Sequence, residues 1–243
     1  MRKSSSKKDA SQNNDCRTRG VVVMCDEDLI RSNRDLVIAA AMSHVAFDGW
    51  TWKAIKTGAI DAGFTEADAA RLFIGGLGDA ADHFADWADR RMVKELNNID
   101  LGSMRIRDRI YTCIQLRIRT NTPHKEALRR LMSFLTVPTN AGLLAKSTWR
   151  TCSRIWYAAG DTSTDWNYYS KRGLLASVYS STILYWMSDP GDKSGDFPDT
   201  WGFLERRIDN VLKTFGLPKK FLANLGELTR HVSRCYPDGK SNV

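Results

Sequence analysis

After residue 25 the apolar positions recur with a helical period, and no segment shows the two-residue alternation of a strand. Leu29, Ile30, Leu36, Val37, Ala40 and Met42 predict an amphipathic helix from Asp26 to Asp48-Gly49. A short helix over Thr51 to Asp61 follows. The turn Ala62-Gly63-Phe64-Thr65 comes next, where Thr65 with Asp68 three residues on forms a weak capping box. Long helix, short helix, glycine-containing turn and short helix together make a helix-turn-helix plan. Gly75-Gly76 and Gly78 interrupt the chain before Asp79 opens a helix running toward Asn98. Further helices are predicted over Ser103 to Arg119, His124 to Leu135, Thr139 to Tyr157, Asp165 to Met187, Pro198 to Phe215 and Pro218 to Arg234. Ala145, Trp149, Cys152 and Trp156 share one face, as do Trp201, Leu204, Ile208, Val211 and Phe215.

The helix from Asp165 to Met187 differs from its neighbours. Leu174, Leu175, Val178, Tyr179, Ile183, Leu184, Tyr185, Trp186 and Met187 spread around its circumference, so its C-terminal half is expected to be surrounded by protein or ligand. The fold class is all-α, with a disordered basic tail over 1–25 and a helix-turn-helix segment over 26–78. A larger helical bundle over 79–215 and a basic amphipathic helix and tail over 216–243 complete the expected organisation.

Charge changes this picture at the two ends. The formal net charge is +8, which taken alone suggests nucleic acid or an anionic membrane. Residues 1 to 19 hold six basic against two acidic side chains, and the segment from Lys213 onward again holds six against two, so the body between them is neutral. The five cysteines, Cys16, Cys25, Cys113, Cys152 and Cys235, are odd in number and widely spaced, which fits free thiols in a reducing compartment rather than a zinc site. No run of eighteen apolar residues occurs, since Ser177, Ser180, Ser181 and Thr182 interrupt the longest. A bacterial cytoplasm, with peripheral attachment to the inner membrane, is the expected location; the mitochondrial matrix face of the inner membrane is the alternative.

Two function classes find little support in the residues. A DNA reader of the helix-turn-helix plan needs cationic or polar groups on the helix after the turn, whereas here that helix begins Thr65-Glu66-Ala67-Asp68. Between Thr51 and Gly78 three basic side chains meet three acidic ones, a poor footprint for phosphate. Catalysis lacks its usual constellations. No residue three positions after Glu95, Glu126, Glu205 or Glu227 is histidine, so a di-iron site built on Glu-x-x-His pairs is excluded. Asp79 with His83, and Glu227 with His231, read as solvated pairs at four-residue spacing. Gly75-Gly76-Leu77-Gly78 lacks the Lys-Ser or Lys-Thr of a phosphate-binding loop. No metal or other cofactor is expected.

The stretch Trp156-Tyr157-Ala158-Ala159-Gly160-Asp161-Thr162-Ser163-Thr164-Asp165-Trp166-Asn167-Tyr168-Tyr169-Ser170-Lys171-Arg172, followed by Asp199-Thr200-Trp201-Gly202-Phe203-Leu204-Glu205-Arg206-Arg207-Ile208, carries a resemblance. It resembles the lipid-binding accessory proteins of ubiquinone (coenzyme Q) biosynthesis, the ninth-named Coq family, which are all-helical relatives of TetR repressors. The likeness is strongest from Trp149 to Leu212, clear over Gly49 to Asp89, thin between Leu96 and Leu135, and weak in both tails.

The resemblance implies a protein without catalytic activity that binds an isoprenoid quinone lipid and pairs with a di-iron demethoxyubiquinone hydroxylase. A ligand-responsive TetR-type DNA-binding repressor is the alternative it leaves open, although no nucleic acid partner is expected. Candidate lipid-lining residues are Leu116, Leu131, Leu135, Leu144, Trp149, Cys152, Trp156, Leu175, Tyr179, Ile183 and Leu204. Carried over from the family, the partner-binding patch falls on Ile155, Tyr168 and Tyr169, with the family's Asn-Trp-Tyr standing here as Asn167-Tyr168-Tyr169. Asp161 to Asp165 read as the loop fixing that patch, with Thr164 or Asp165 as helix cap. Family members also reach membranes through a C-terminal amphipathic helix. Its counterpart here has Phe221, Leu225, Leu228 and Val232 on one face with Lys219 and Lys220 beside it; membrane binding and docking on the bundle are equally compatible with that pattern. A homodimer through the last two long helices is a further expectation.

Overall fold

A computed structural model describes residues 26–161 and 166–215, apart from the side chains of Trp166, Asn167, Leu212, Thr214 and Phe215. Among the described residues the only regular elements are helices: α1 (Asp26–Asp48), α2 (Trp52–Asp61), α3 (Glu66–Leu72), α4 (Gly76–Leu96), α5 (Ile106–Arg119), α6 (Lys125–Leu135), α7 (Ala141–Ala158), α8 (Trp166–Ser188) and α9 (Pro198–Phe215). Short 3-10 turns at Thr122–His124 and Pro138–Asn140 lead into α6 and α7. Two compact units divide between His83 and Phe84, inside α4, rather than at the glycines before Asp79.

In the first unit, Val37, Ile38, Ala41, Met42 and Val45 form the buried face of α1. A Cβ at Gly58 would lie 2.5 Å from the Ala41 backbone, so the absence of a side chain there sets how closely α2 approaches α1. Thr65 and Asp68 form the predicted capping box: the Thr65 hydroxyl accepts from the Asp68 amide at 3.2 Å, and the Asp68 carboxylate accepts from the Thr65 amide at 3.0 Å. The Thr65 hydroxyl, which also donates to Asp68 Oδ2 at 2.6 Å, and the Thr65 amide hold the Asp68 carboxyl below its ordinary range. Asp79 and His83 are not a pair. Asp79 accepts from Arg34, and the buried His83 ring lies 2.7 Å from Asp35, because the face of α4 that carries them turns onto α1.

The second unit places α7 against α8, α8 against α9, and α5 against both α7 and α9. Arg107 on α5 joins Asp209 at 2.7 Å and Glu205 at 3.1 Å on α9. The start of α9 is tied down by Asp189, which accepts from the Thr200 hydroxyl at 2.6 Å, the Thr200 amide at 3.1 Å and the Gly191 amide at 2.9 Å. Burial pushes the Asp189 carboxyl up, and these hydrogen bonds more than reverse it, leaving the pKa lowered. Trp186, fully buried on α8, meets Phe197 edge-on at 6.0 Å, and Lys125 lies over both rings.

The expectation of an enclosed C-terminal half for α8 needs correction at one strip. Leu175, Val178, Ile183, Trp186 and Met187 are buried, but Leu184 is 60% exposed in line with the exposed Ser177, Ser180 and Ser188. Small polar residues on that strip leave nothing for a packed neighbour to bury. The predicted α9 stripe stands at Trp201, Leu204 and Ile208, all buried. The predicted cap at Thr164 or Asp165 and the predicted helix from Pro218 to Arg234 lie outside the described residues, as do Lys219, Lys220, Phe221, Leu225, Leu228 and Val232.

Candidate functional site

Three helices of the second unit, α4, α5 and α7, meet at a buried carboxylate. Asp89 lies on the face of α4 that also buries Ala88, Met92 and Leu96, and it is fully buried. Arg117 sits on α5 between Ile114 and Ile118 and donates from Nε to Asp89 Oδ1 at 2.8 Å. Thr151 on α7 donates its hydroxyl to the same carboxylate, 2.9 Å from Oδ1 and 3.0 Å from Oδ2. Arg154, one turn further along α7, reaches Oδ2 at 3.4 Å and pairs with Asp86 at 2.6 Å. Burial opposes the charge of Arg117, and attraction from Tyr179 and Asp89 outweighs it, so its pKa is raised. On α8, burial raises the pKa of Tyr179, with Arg117 lowering and Asp89 raising it. Cys152 stands beside this group, and burial pushes its thiol up to about 12.

A second cluster lies at the surface where α7 and α8 meet. Trp149 stacks on Tyr169 with ring centroids 6.1 Å apart, and Tyr168 meets Tyr169 edge-on at 5.1 Å. Beneath them the buried Arg172 places its guanidinium 3.3 Å from the centre of the Tyr168 ring. Arg172 also donates to the Tyr168 carbonyl at 3.0 Å, to Ser153 Oγ at 3.2 Å and to Asp161 at 3.4 Å. Asp161 holds Lys171 as well, at 2.8 Å. The loop residue Asp161 thus secures the base of an aromatic patch whose outer ring, Tyr169, is 57% exposed.

Among the predicted lipid-lining residues, Leu131, Leu135, Cys152, Leu175, Ile183 and Leu204 are buried, while Leu116, Leu144, Trp156 and Tyr179 are half-buried. Leu175, Tyr179 and Ile183 occupy one face of α8 at four-residue spacing. Two assignments change. Trp149 is 37% exposed and belongs to the surface aromatic cluster, not to an interior wall. Ile155 is fully buried and presents nothing to a partner, because the inward face of α7 runs through Ser147, Thr151, Cys152 and Ile155. The stripe of Ala145, Trp149, Cys152 and Trp156 is therefore not the packed face. Asp89, Arg117 and Thr151 are not among the sequence-predicted site residues; their signal is a polar residue set within an otherwise apolar helical face.

The first unit shows why its helix-turn-helix plan is chemically unlike a DNA reader. Residues 26–83 hold five basic against ten acidic side chains, a net −5, whereas 84–212 hold nineteen against fourteen, a net +5. The neutral body is thus two opposite halves. Every cation between Thr51 and Gly78 also has a carboxylate beside it: Lys53 with Asp48 at 3.2 Å, Lys56 with Glu66 at 3.0 Å, and Arg71 with Asp68 at 3.5 Å. Phosphate binding there would have to displace those pairs against a net negative field.

A family model described as COQ9 matches residues 141–214, the stretch that contains the aromatic cluster, Thr151 and Tyr179. The human mitochondrial ubiquinone biosynthesis protein COQ9 is 31% identical over 198 residues, covering 79% of this chain and 61% of the human protein. A probable mitochondrial ubiquinone biosynthesis protein coq9 of Dictyostelium discoideum is 26% identical over 184 residues, covering 73% and 59%. The chain spans about three fifths of the length of these relatives. A TetR transcriptional regulator of Nitrosomonas europaea superposes with a TM-score of 0.58 at 21% identity, over 74% of this chain and 97% of the regulator, a likeness of fold alone. With its all-α, TetR-like architecture, the chain is similar to the COQ9 family over residues 141–214 and to its curated members over most of its own length.

Proposed function

We propose that this protein serves ubiquinone biosynthesis as a carrier without catalytic activity. It takes up an isoprenoid quinone intermediate at a membrane surface and presents the head group to a di-iron demethoxyubiquinone hydroxylase. The physical need for such a carrier is plain. A polyprenyl chain gains about 0.8 kcal/mol per buried CH₂ in a bilayer, so a water-soluble enzyme extracts it only if a comparable apolar interior is offered. The observation that carries the reading is the content of residues 141–214. The segment matching the family holds both the Leu175, Tyr179 and Ile183 face and the exposed Trp149, Tyr168 and Tyr169 cluster. An interior face that meets a lipid and an exterior aromatic patch that meets a protein are the two surfaces a presenting carrier requires.

The relatives bear mitochondrial names, which supports the matrix face of the inner membrane as the site of action. No helix among the described residues is long and apolar enough to cross a membrane, so contact with the bilayer is peripheral in this reading. Binding of the purified hydroxylase to the wild-type chain and to the Tyr169→Ala variant tests the partner surface. Wild-type binding that the substitution weakens at least tenfold, with lipid content unchanged, supports the reading; identical binding by both proteins removes the patch from it.

A further inference from the structure

We propose that Arg109 on α5 is a positioning residue for the partner surface formed by Trp149, Tyr168 and Tyr169, acting through the end of α7. This rests on the reading of that aromatic patch as the partner-binding surface, and it names what holds the patch in place.

The last turn of α7 closes on a glycine. The Asp161 amide donates to the Trp156 carbonyl at 2.9 Å and the Gly160 amide to the Tyr157 carbonyl at 3.0 Å, with Gly160 left-handed at φ 89°. These are the paired bonds of a Schellman motif, and neither uses the Ala159 carbonyl. Arg109 takes that carbonyl from Nη1 at 3.0 Å, while its Nε donates to the Met104 carbonyl at 2.9 Å and its Nη2 to the Gly102 carbonyl at 3.0 Å. All three nitrogens of one planar fork are committed to backbone, one at the end of α7 and two in the loop before α5, so the guanidinium holds these segments at a fixed separation. It also sets a cation at the negative end of the α7 dipole. A Cβ on residue 160 would lie 3.2 Å from Nη1, so glycine is required there by the approach of Arg109 as well as by its φ.

Asp161, the next residue, carries that placement to the rings. Its carboxylate is almost wholly buried and accepts from Lys171 at 2.8 Å and from Arg172 at 3.4 Å. Arg172 donates in turn to the Tyr168 carbonyl at 3.0 Å and lies against the Tyr168 ring, which meets Tyr169 edge-on. Trp156, in the last turn of α7, donates from its indole to the Lys171 carbonyl at 3.1 Å. The first turns of α8 are therefore registered against the end of α7, and that end is registered by Arg109. The Asp161–Arg172 contact is the sensitive link, because at 3.4 Å a small outward displacement removes it.

Two substitutions test this in the intact chain, each made alone and again together with Tyr169→Ala. Arg109→Met keeps the aliphatic stem and removes the fork; Gly160→Ala strains the same junction and leaves Arg109 its bonds to Met104 and Gly102. Affinity for the purified di-iron hydroxylase, bound lipid and melting temperature are measured for every protein. Each single variant is expected to weaken hydroxylase binding roughly three- to tenfold, about the worth of one hydrogen bond, with lipid content unchanged. In the Tyr169→Ala background neither weakens it further, although each still lowers the melting temperature by as much as before. A residue that only stabilises the bundle gives no such coupling. Wild-type affinity in Arg109→Met, or losses that add to that of Tyr169→Ala, overturns the role of Arg109 and leaves the partner surface standing; if Arg109→Met does not fold, Gly160→Ala decides in the same way. A wild-type chain that does not bind the hydroxylase, or that binds it as tightly with Tyr169→Ala, removes the surface and this role together.

Discussion

Removing Asp89 exposes the energetics of the hub most sharply. In Asp89→Ala the Arg117 guanidinium remains 5% exposed with only the Ala85 carbonyl at 3.5 Å in reach, and the Thr151 hydroxyl loses both its contacts. Breaking one side of a buried pair costs about 3–5 kcal/mol, because the stranded charge is not rehydrated. Against a total stability on the order of 5–15 kcal/mol, that is a large fraction, and at about 2–4 °C per kcal/mol it lowers Tm by roughly 6–20 °C. Arg154 contributes little to the loss, since it keeps Asp86 at 2.6 Å. The double variant Asp89→Leu with Arg117→Met removes both charges together. It is expected to recover most of the deficit, since hydrophobic replacements of buried pairs are often neutral. Denaturant titration followed by circular dichroism, on wild type, Asp89→Ala, Asp89→Leu, Arg117→Met and the double variant, measures the coupling. A cost below about 1 kcal/mol for Asp89→Ala, or additive losses in the double, would refute the claim that Arg117 depends on Asp89 for its place in the core.

Four further outcomes are expected. Tyr169→Ala changes stability by less than about 1 kcal/mol because its ring is largely exposed, whereas Arg172→Ala, which undoes the link between Tyr168, Ser153 and Asp161, lowers both stability and partner affinity; paired melting and pull-down assays separate the two. Cys113 and Cys152, each pushed up to about 12 by burial, resist iodoacetamide at pH 8 in the native protein and react once it is unfolded, as mass spectrometry reads directly. The same raised values set the alkaline limb. The unfolded thiols ionise first, so stability is intact below their ordinary pKa and falls by about 1.4 kcal/mol per pH unit for each thiol as pH rises above it; a flat limb between pH 9 and about 11 contradicts this. Asp189→Ala frees the start of α9 and costs about 1–3 kcal/mol at neutral pH. Since the Asp189 pKa is lowered in the fold, the contribution of that group is present above the ordinary carboxylate range and disappears as pH falls through it, so wild type and variant converge in acid.

Much of the helical framework was legible because local chemistry marks it. Thr65 with Asp68, and Pro198, each announced a helix start that the structure places within a residue. The hub was not legible, since a buried charge declares itself only through partners far along the chain: Asp89 meets residues 28 and 62 positions away. The inward face of α7 was misread for a related reason. Ser147 and Thr151 look like surface residues by polarity, and Trp149 like core by size, but the Asp89 carboxylate draws Thr151 inward and turns Ile155 with it. Trp149 rotates outward in consequence and joins Tyr168 and Tyr169. The tyrosine pair was singled out by family resemblance, as no periodicity marks a surface aromatic cluster.

Lipid extraction from the gently purified chain, followed by mass spectrometry, tests the carrier role most directly, with a duplex-DNA shift assay on the same sample. An isoprenoid quinone or related intermediate at near-stoichiometric yield, with no DNA shift, is the expected result. An empty protein that shifts DNA at physiological salt contradicts the account and would make the acidic helix-turn-helix unit a DNA reader after all.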